Sequence, residues 1–134
     1  FDGRWHRVHQ AGINPMPVQR PIPLWMGGGA EAVLDRIARI GDGWFPQFPP
    51  DERGGERIAK LRALARDAGR AEEAIGVEGR ISLAQTPEDG WGAALEAWEG
   101  IGATHVSLNT MYAKLPSPQA HVDAITRFMA IARG

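Results

Sequence analysis

Short apolar runs and stretches of helical period alternate four times along this chain, with glycine or proline at most junctions. No other feature constrains the fold as tightly, because strand–helix–strand order implies parallel strands joined by right-handed crossovers. The first run, Pro23-Leu24-Trp25-Met26, stops at three glycines, and a run of that length bounded in that way suits a buried strand. Ala30 to Ile40 follows with Val33, Leu34, Ile37 and Ile40 on one helical face. Gly41-Asp42-Gly43 is expected to end that helix, since glycine reaches the left-handed conformation at low cost. Trp44-Phe45 opens a second strand, closed by Pro46, Pro49 and Pro50. Asp51 to Gly69 reads as a helix with Ile58, Leu61, Leu64 and Ala65 inward, acidic residues near its start and arginines towards its end.

The second half repeats the pattern. Ile75 to Ala84 is a predicted strand with Val77, Ile81 and Leu83 apolar. Thr86-Pro87 is a predicted helix start, with Thr86 as cap and Pro87 at the first helical position. That helix buries Trp91, Ala94, Leu95, Trp98 and Ile101 and ends at Gly102. His105 to Asn109 is the fourth strand, and Ser117-Pro118 starts a last helix with Val122, Ile125, Phe128 and Met129 on one face. The fold class is α/β: four βα units with a parallel sheet over residues 21–134, preceded by an irregular or hairpin-like segment over 1–20 that is rich in proline and glycine. Four such units make half of a (β/α)8 TIM barrel, which needs ~250 residues, so residues 1–134 read as a single partial domain. A doubly wound sheet is the competing architecture.

Composition narrows the function classes. Hydrophobic residues make up 43% and charged residues 23%, enough apolar side chain for a core. The net charge of −1, with no run of five like charges, points away from nucleic acid and from membrane surfaces. The apolar stretches fall short of the roughly 20 residues that a membrane span needs. Cysteine is absent, which excludes disulfides, thiolate metal sites and cysteine nucleophiles and fits a reducing cytoplasm. The chain begins at Phe1 rather than Met and is read as part of a longer protein.

The chemistry concentrates at Met26-Gly27-Gly28-Gly29-Ala30, between a predicted strand and a predicted helix. Glycines allow a sharp turn and close ligand approach. The first helical amides lack intrahelical partners, and the helix dipole adds about half a positive charge there, so a phosphate would supply the missing acceptors. The competing interpretation is a tight βα turn that binds nothing, since the spacing is neither a Walker A sequence nor G-x-G-x-x-G. Glu31, in the first helical turn, would repel a dianion unless it points away.

Three blocks carry a resemblance: Phe1-Asp2-Gly3-Arg4-Trp5, then Pro15 to Gly28, then Ile40-Gly41-Asp42-Gly43-Trp44-Phe45-Pro46. In order and spacing they resemble the luciferase-like monooxygenase superfamily, most of all its oxidoreductases that use the deazaflavin coenzyme F-420, with FMN as the alternative cofactor. The resemblance implies the C-terminal half of a (β/α)8 barrel, with the cofactor at the C-terminal ends of the strands. It implies phosphate contact by Gly27, Gly28, Gly29 and the Ala30 amide, next to Met26. It carries Trp44 and Phe45 over, more weakly, as the stretch near the tricyclic ring. Many members have a hydroxyl residue in the glycine loop, whereas Ala30 offers only its amide. By the same match the upstream half of the barrel holds the acid and base residues, so catalytic residues are unknown here. The implied activity is hydride transfer between a reduced deazaflavin and a small organic substrate. An FMN-dependent monooxygenase is one alternative, and a self-associating half-barrel without catalysis of its own is another. The implied partner is a second copy or the missing barrel half.

The remaining polar and aromatic residues have bland interpretations. His6, His9 and His105 lack a convergent set of further ligands in the sequence, so no metal site is assigned. In some barrel enzymes of the family the segment that holds His6 and His9 approaches the substrate. Trp91 and Trp98, seven residues apart, read as helix core, and Trp25 as packed between sheet and helices. Asn109 and Thr110 end the last strand and are expected to make loop hydrogen bonds. Asp42 is expected to accept local amide bonds in its turn. No nucleophile elbow is present to support a Ser-His-Asp hydrolase.

Overall fold

The computed structural model describes residues 1–133. Four strands, β1 (Trp25–Gly27), β2 (Gly43–Phe45), β3 (Gly76–Ser82) and β4 (His105–Asn109), alternate with four helices, α1 (Glu31–Ile40), α2 (Glu52–Asp67), α3 (Trp91–Gly100) and α4 (Pro118–Arg133). The sheet order is β1-β2-β3-β4 and every pairing is parallel, so the four expected βα units are present. Residues 1–24 hold no regular element beyond a small antiparallel bridge between Asp2 and Arg7, closed by hydrogen bonds from Gly3 N to His6 O (2.9 Å) and from Val8 N to Phe1 O (2.8 Å).

The strand register decides which side chains share a face. Trp25 pairs with Gly43, Gly43 with Gly76, and Glu78 with His105. One face therefore carries Trp25, Gly27, Phe45, Glu78, Arg80, Ser82, His105, Ser107 and Asn109, because successive residues alternate sides. The other carries Met26, Trp44, Val77, Gly79, Ile81, Val106 and Leu108, and the helices cover that side. Its core has two parts. Leu34, Ile37, Ile58, Leu61 and Ala65 from α1 and α2 pack on Trp44 and Val77. Trp91, Trp98 and Phe128 from α3 and α4 pack on Ile81. Phe48 and Ile101 touch both parts and join them.

Several local expectations need correction. Gly41 ends α1 with φ −84 and ψ 149, not in the left-handed region. Space favours glycine there, since a Cβ would lie 3.0 Å from Ile37 atoms. The carbonyls at that end of α1 are met by Arg70, whose guanidinium donates to Ile37 O (3.2 Å), Ala38 O (3.1 Å) and Gly41 O (2.7 Å). Thr86 does not cap α3. Residues Glu88–Gly90 form a single 3₁₀ turn, and the α-helix starts at Trp91. The Thr86 carbonyl, an acceptor at the expected helix start, takes the Trp91 indole N–H instead (3.1 Å). On α4 the buried residues are Ala124 and Phe128, whereas Val122, Ile125 and Met129 stay 40–54% exposed. The apolar arc of α4 is wider than the surface that α3 and β4 offer it.

Asp51 is a side-chain N-cap of α2, accepting from Gly54 N at 2.8 Å. Asp51→Ala is expected to lower stability by about 1 kcal/mol, measured by denaturant unfolding. An unchanged midpoint would show that the cap is redundant with the rest of the α2 packing.

Candidate functional site at the glycine turn

The turn leaves the C-terminal end of β1 and enters α1. Gly28 has φ +103, a conformation that side-chain-bearing residues rarely adopt, while a Cβ there would meet only Val33 at an ordinary 3.6 Å. The backbone angle, not crowding, selects glycine at this position. Ala30 is extended (φ −70, ψ 149) and offers no side-chain cap to α1. Among the described residues no carbonyl or side chain accepts from the amides of Ala30, Glu31 or Ala32, and Val33 and Leu34 both turn back to Ala30 O at 2.9 and 3.1 Å. Gly29 and Ala30 are exposed. A helix start with unpaired, solvent-facing amides and the positive end of the helix dipole suits an anion.

Three side chains hold the turn, and all come from later in the chain. Trp44, fully buried on the helix side of the sheet, donates its indole N–H to Gly28 O at 2.7 Å. Arg57 of α2 donates to Gly29 O. Lys60, one turn further along α2, pairs with Glu31. The hydrogen bond and the charge of Lys60, with Arg57 adding to the charge, lower the Glu31 pKa from its ordinary value. Glu31 is thus turned towards α2 and partly neutralised, which answers the concern that it would repel a dianion. Arg57 brings a positive charge to the turn, and Lys60 offsets that of Glu31. Local sequence spacing gave no sign of them, since Arg57 lies 28 residues from Gly29.

The family model of the luciferase-like monooxygenases matches residues 1–130. The chain belongs to that family. Among solved structures it is similar to DmoA from Hyphomicrobium sulfonivorans, at 17% identity, over 99% of this chain and 34% of that one, with a TM-score of 0.45. The chain therefore spans about a third of the length of that protein.

Within this luciferase-like chain the residues selected from sequence separate into three groups. Gly27 ends β1, and Gly28, Gly29 and Ala30 form the turn that follows it, with Gly29 and Ala30 exposed. Met26 and Trp44 do not reach it with their side chains from the open face: Met26 packs against the helix-side core and Trp44 is enclosed in it. The Trp44 side chain, expected near a cofactor ring, lies in the core and supports Gly28 from the helix side. Phe45 is on the open face, 37% exposed, with its ring centroid 5.2 Å from that of Trp25.

Trp25 also departs from expectation. It does not lie between sheet and helices but on the open face, across Gly43 and Gly76, with His105 edge-on at 5.1 Å. Nδ1 of His105 is 2.8 Å from the Thr104 hydroxyl. Asn109 and Thr110 do make loop hydrogen bonds, Asn109 Oδ1 accepting from Met111 N (2.9 Å) and Thr110 Oγ1 meeting His121 Nδ1 (2.8 Å). Asp42 serves a distant partner instead of its own turn, since Oδ2 accepts from Leu24 N at 2.8 Å and so fixes the start of β1.

Proposed function

We propose that this chain is the C-terminal half of a (β/α)8 oxidoreductase of the luciferase-like type, and that the Gly27-Gly28-Gly29 turn holds the phosphate of coenzyme F-420, or of FMN in the alternative reading. The observation that carries it is the row of unpaired amides from Ala30 to Ala32 behind a left-handed Gly28, with Arg57 and Lys60 beside it. These residues fit a phosphate: the amides donate, and Arg57 adds a positive charge beyond the Lys60–Glu31 pair. A bound deazaflavin would supply hydride transfer to or from a small organic substrate, and a bound flavin would add oxygen chemistry. The chain's own part is to anchor and orient. Trp44 and Arg57 fix the turn, and Phe45 and Trp25 present aromatic surface on the open face at the neighbouring strands. The acid and base residues belong to the upstream half, and the absence of cysteine agrees with a reducing cytoplasm. Among the described residues no helix is long and apolar enough to cross a membrane.

The test is a thermal-shift titration with coenzyme F-420, FMN and inorganic phosphate, on this chain and on Gly28→Asp. A ligand at a hundredfold excess over its Kd stabilises by about 2.7 kcal/mol. Stabilisation by phosphate and by one of the two cofactors, lost in Gly28→Asp, is the expected result, and the better of the two names the cofactor. A phosphate response that Gly28→Asp leaves intact would move the anion away from this turn.

A second reading is favoured by the open sheet face and the exposed Val122, Ile125 and Met129 of α4. Two copies of the half-barrel, or this half and its missing counterpart, would cover these surfaces and the free edges of β1 and β4. Sedimentation equilibrium separates a self-associating module from a monomer that waits for the upstream half.

A further inference from the structure

We propose that the cleft at the C-terminal ends of β2, β3 and β4 binds the carboxylate of a small organic acid through Arg80. The cleft arises from the strand register. β2 pairs with β3 only at Gly43–Gly76 and Trp44–Val77, while β3 runs on to Ser82. Beyond Val77 the segment after β2 departs from β3, and a space of about 730 Å³ opens between them. That volume lies in the range of small-molecule sites, about 300–1,000 Å³. None of the glycine-turn residues lines it, so the inference does not rest on the phosphate reading.

The charge in the cleft selects the ligand class. Arg80 is the one charged residue among the described residues that line it, and no carboxylate lies within ion-pair distance of it. Its side-chain partner is neutral: Nη2 donates to Gln47 Oε1 across the gap at 3.2 Å. A guanidinium has five N–H donors in a planar fork, so most of that fork faces the cleft or solvent without an acceptor from the chain. A carboxylate matches the fork with two parallel hydrogen bonds. Ser82 and Asn109, at the ends of β3 and β4, add polar groups on the same wall.

A single cation favours a monoanion over a phosphate dianion. The body of the ligand meets the half-buried ring of Phe48, and Tyr112 offers a further ring, 84% exposed, at the opening. The geometry thus asks for a carboxylate head on an apolar or aromatic body.

The test is an amide and side-chain NMR titration of this chain with benzoate, benzamide and inorganic phosphate at constant ionic strength. Benzoate is expected to give saturable shifts at the Gln47 and Asn109 side-chain amides and at Ser82, with benzamide weaker by about tenfold or more. Arg80→Gln should weaken benzoate by a similar factor and leave benzamide unchanged. Arg80→Lys, which keeps the charge and loses the fork, should fall between, and it covers the case in which Arg80→Gln does not fold. Equal binding of benzoate and benzamide, benzoate binding untouched by either substitution, or no saturable shift in the cleft overturns the proposal. Phosphate shifting these same residues at lower concentration than benzoate overturns the carboxylate assignment. Phosphate shifts confined to the glycine turn bear only on the cofactor reading.

Discussion

Trp44→Ala is expected to cost about 3–5 kcal/mol of stability, the range for removing a buried aromatic side chain. Against a total of roughly 5–15 kcal/mol for a domain, such a loss leaves a substantial fraction of the chain unfolded. Two losses combine. The indole is fully buried among residues of α1, α2 and β3 and meets Phe48 edge-on with centroids 5.4 Å apart. Its N–H is also the donor that holds Gly28 O. Trp44→Phe separates them: most of the ring volume stays and only the donor goes, so about 1–3 kcal/mol is expected from the unpaired carbonyl and the smaller ring. Denaturant unfolding measures both. On the buttress reading, Trp44→Phe also weakens the phosphate response at the turn by more than its stability loss alone would. A variant as stable as the parent with an intact phosphate response would show that the indole N–H does not support the turn.

Gly79→Ala is expected to cost about 1–3 kcal/mol, although it adds a single methyl group. A Cβ on Gly79 would lie 2.4 Å from Cδ2 of Trp98 and 2.6 Å from its Cγ. Trp98 is itself buried, with Ile81 and Phe48 around it, so the ring has little room to retreat. Combining Gly79→Ala with Trp98→Leu makes room for the methyl, and the two changes should couple favourably by about 0.5–3 kcal/mol in a double-mutant cycle. Strict additivity would show that the backbone, not the ring, yields. Gly43 is an instructive contrast. Its Cβ would approach Trp25 at 2.1 Å, yet Trp25 is half-buried on the open face and can swing away. Gly43→Ala should therefore cost less than Gly79→Ala in this chain, despite the shorter approach.

The sequence by itself determined the order of elements and the place of the glycine turn. Apolar spacing and glycine and proline punctuation act within about ten residues, and those local preferences are what alternating strands and helices express. The helix cores at Leu34 and Ile37, at Ile58 and Leu61, and at Trp91 and Trp98 were legible for the same reason. The faces of the short strands were not. Trp25 and Met26 are both apolar, as are Trp44 and Phe45, so a three-residue strand carries no alternation that says which side chain meets the helices. Pairing with neighbouring strands decided it, placing Met26 and Trp44 in the core and Trp25 and Phe45 on the open face. Tertiary structure also supplied what surrounds the turn. The bonds from Trp44 to Gly28 O and from Arg57 to Gly29 O span 16 and 28 residues, a range that no local preference encodes. The cleft at Arg80 has the same origin, because it exists only where β2 and β3 part. Local backbone energetics set where the chain turns, and long-range packing set which groups those turns bring together.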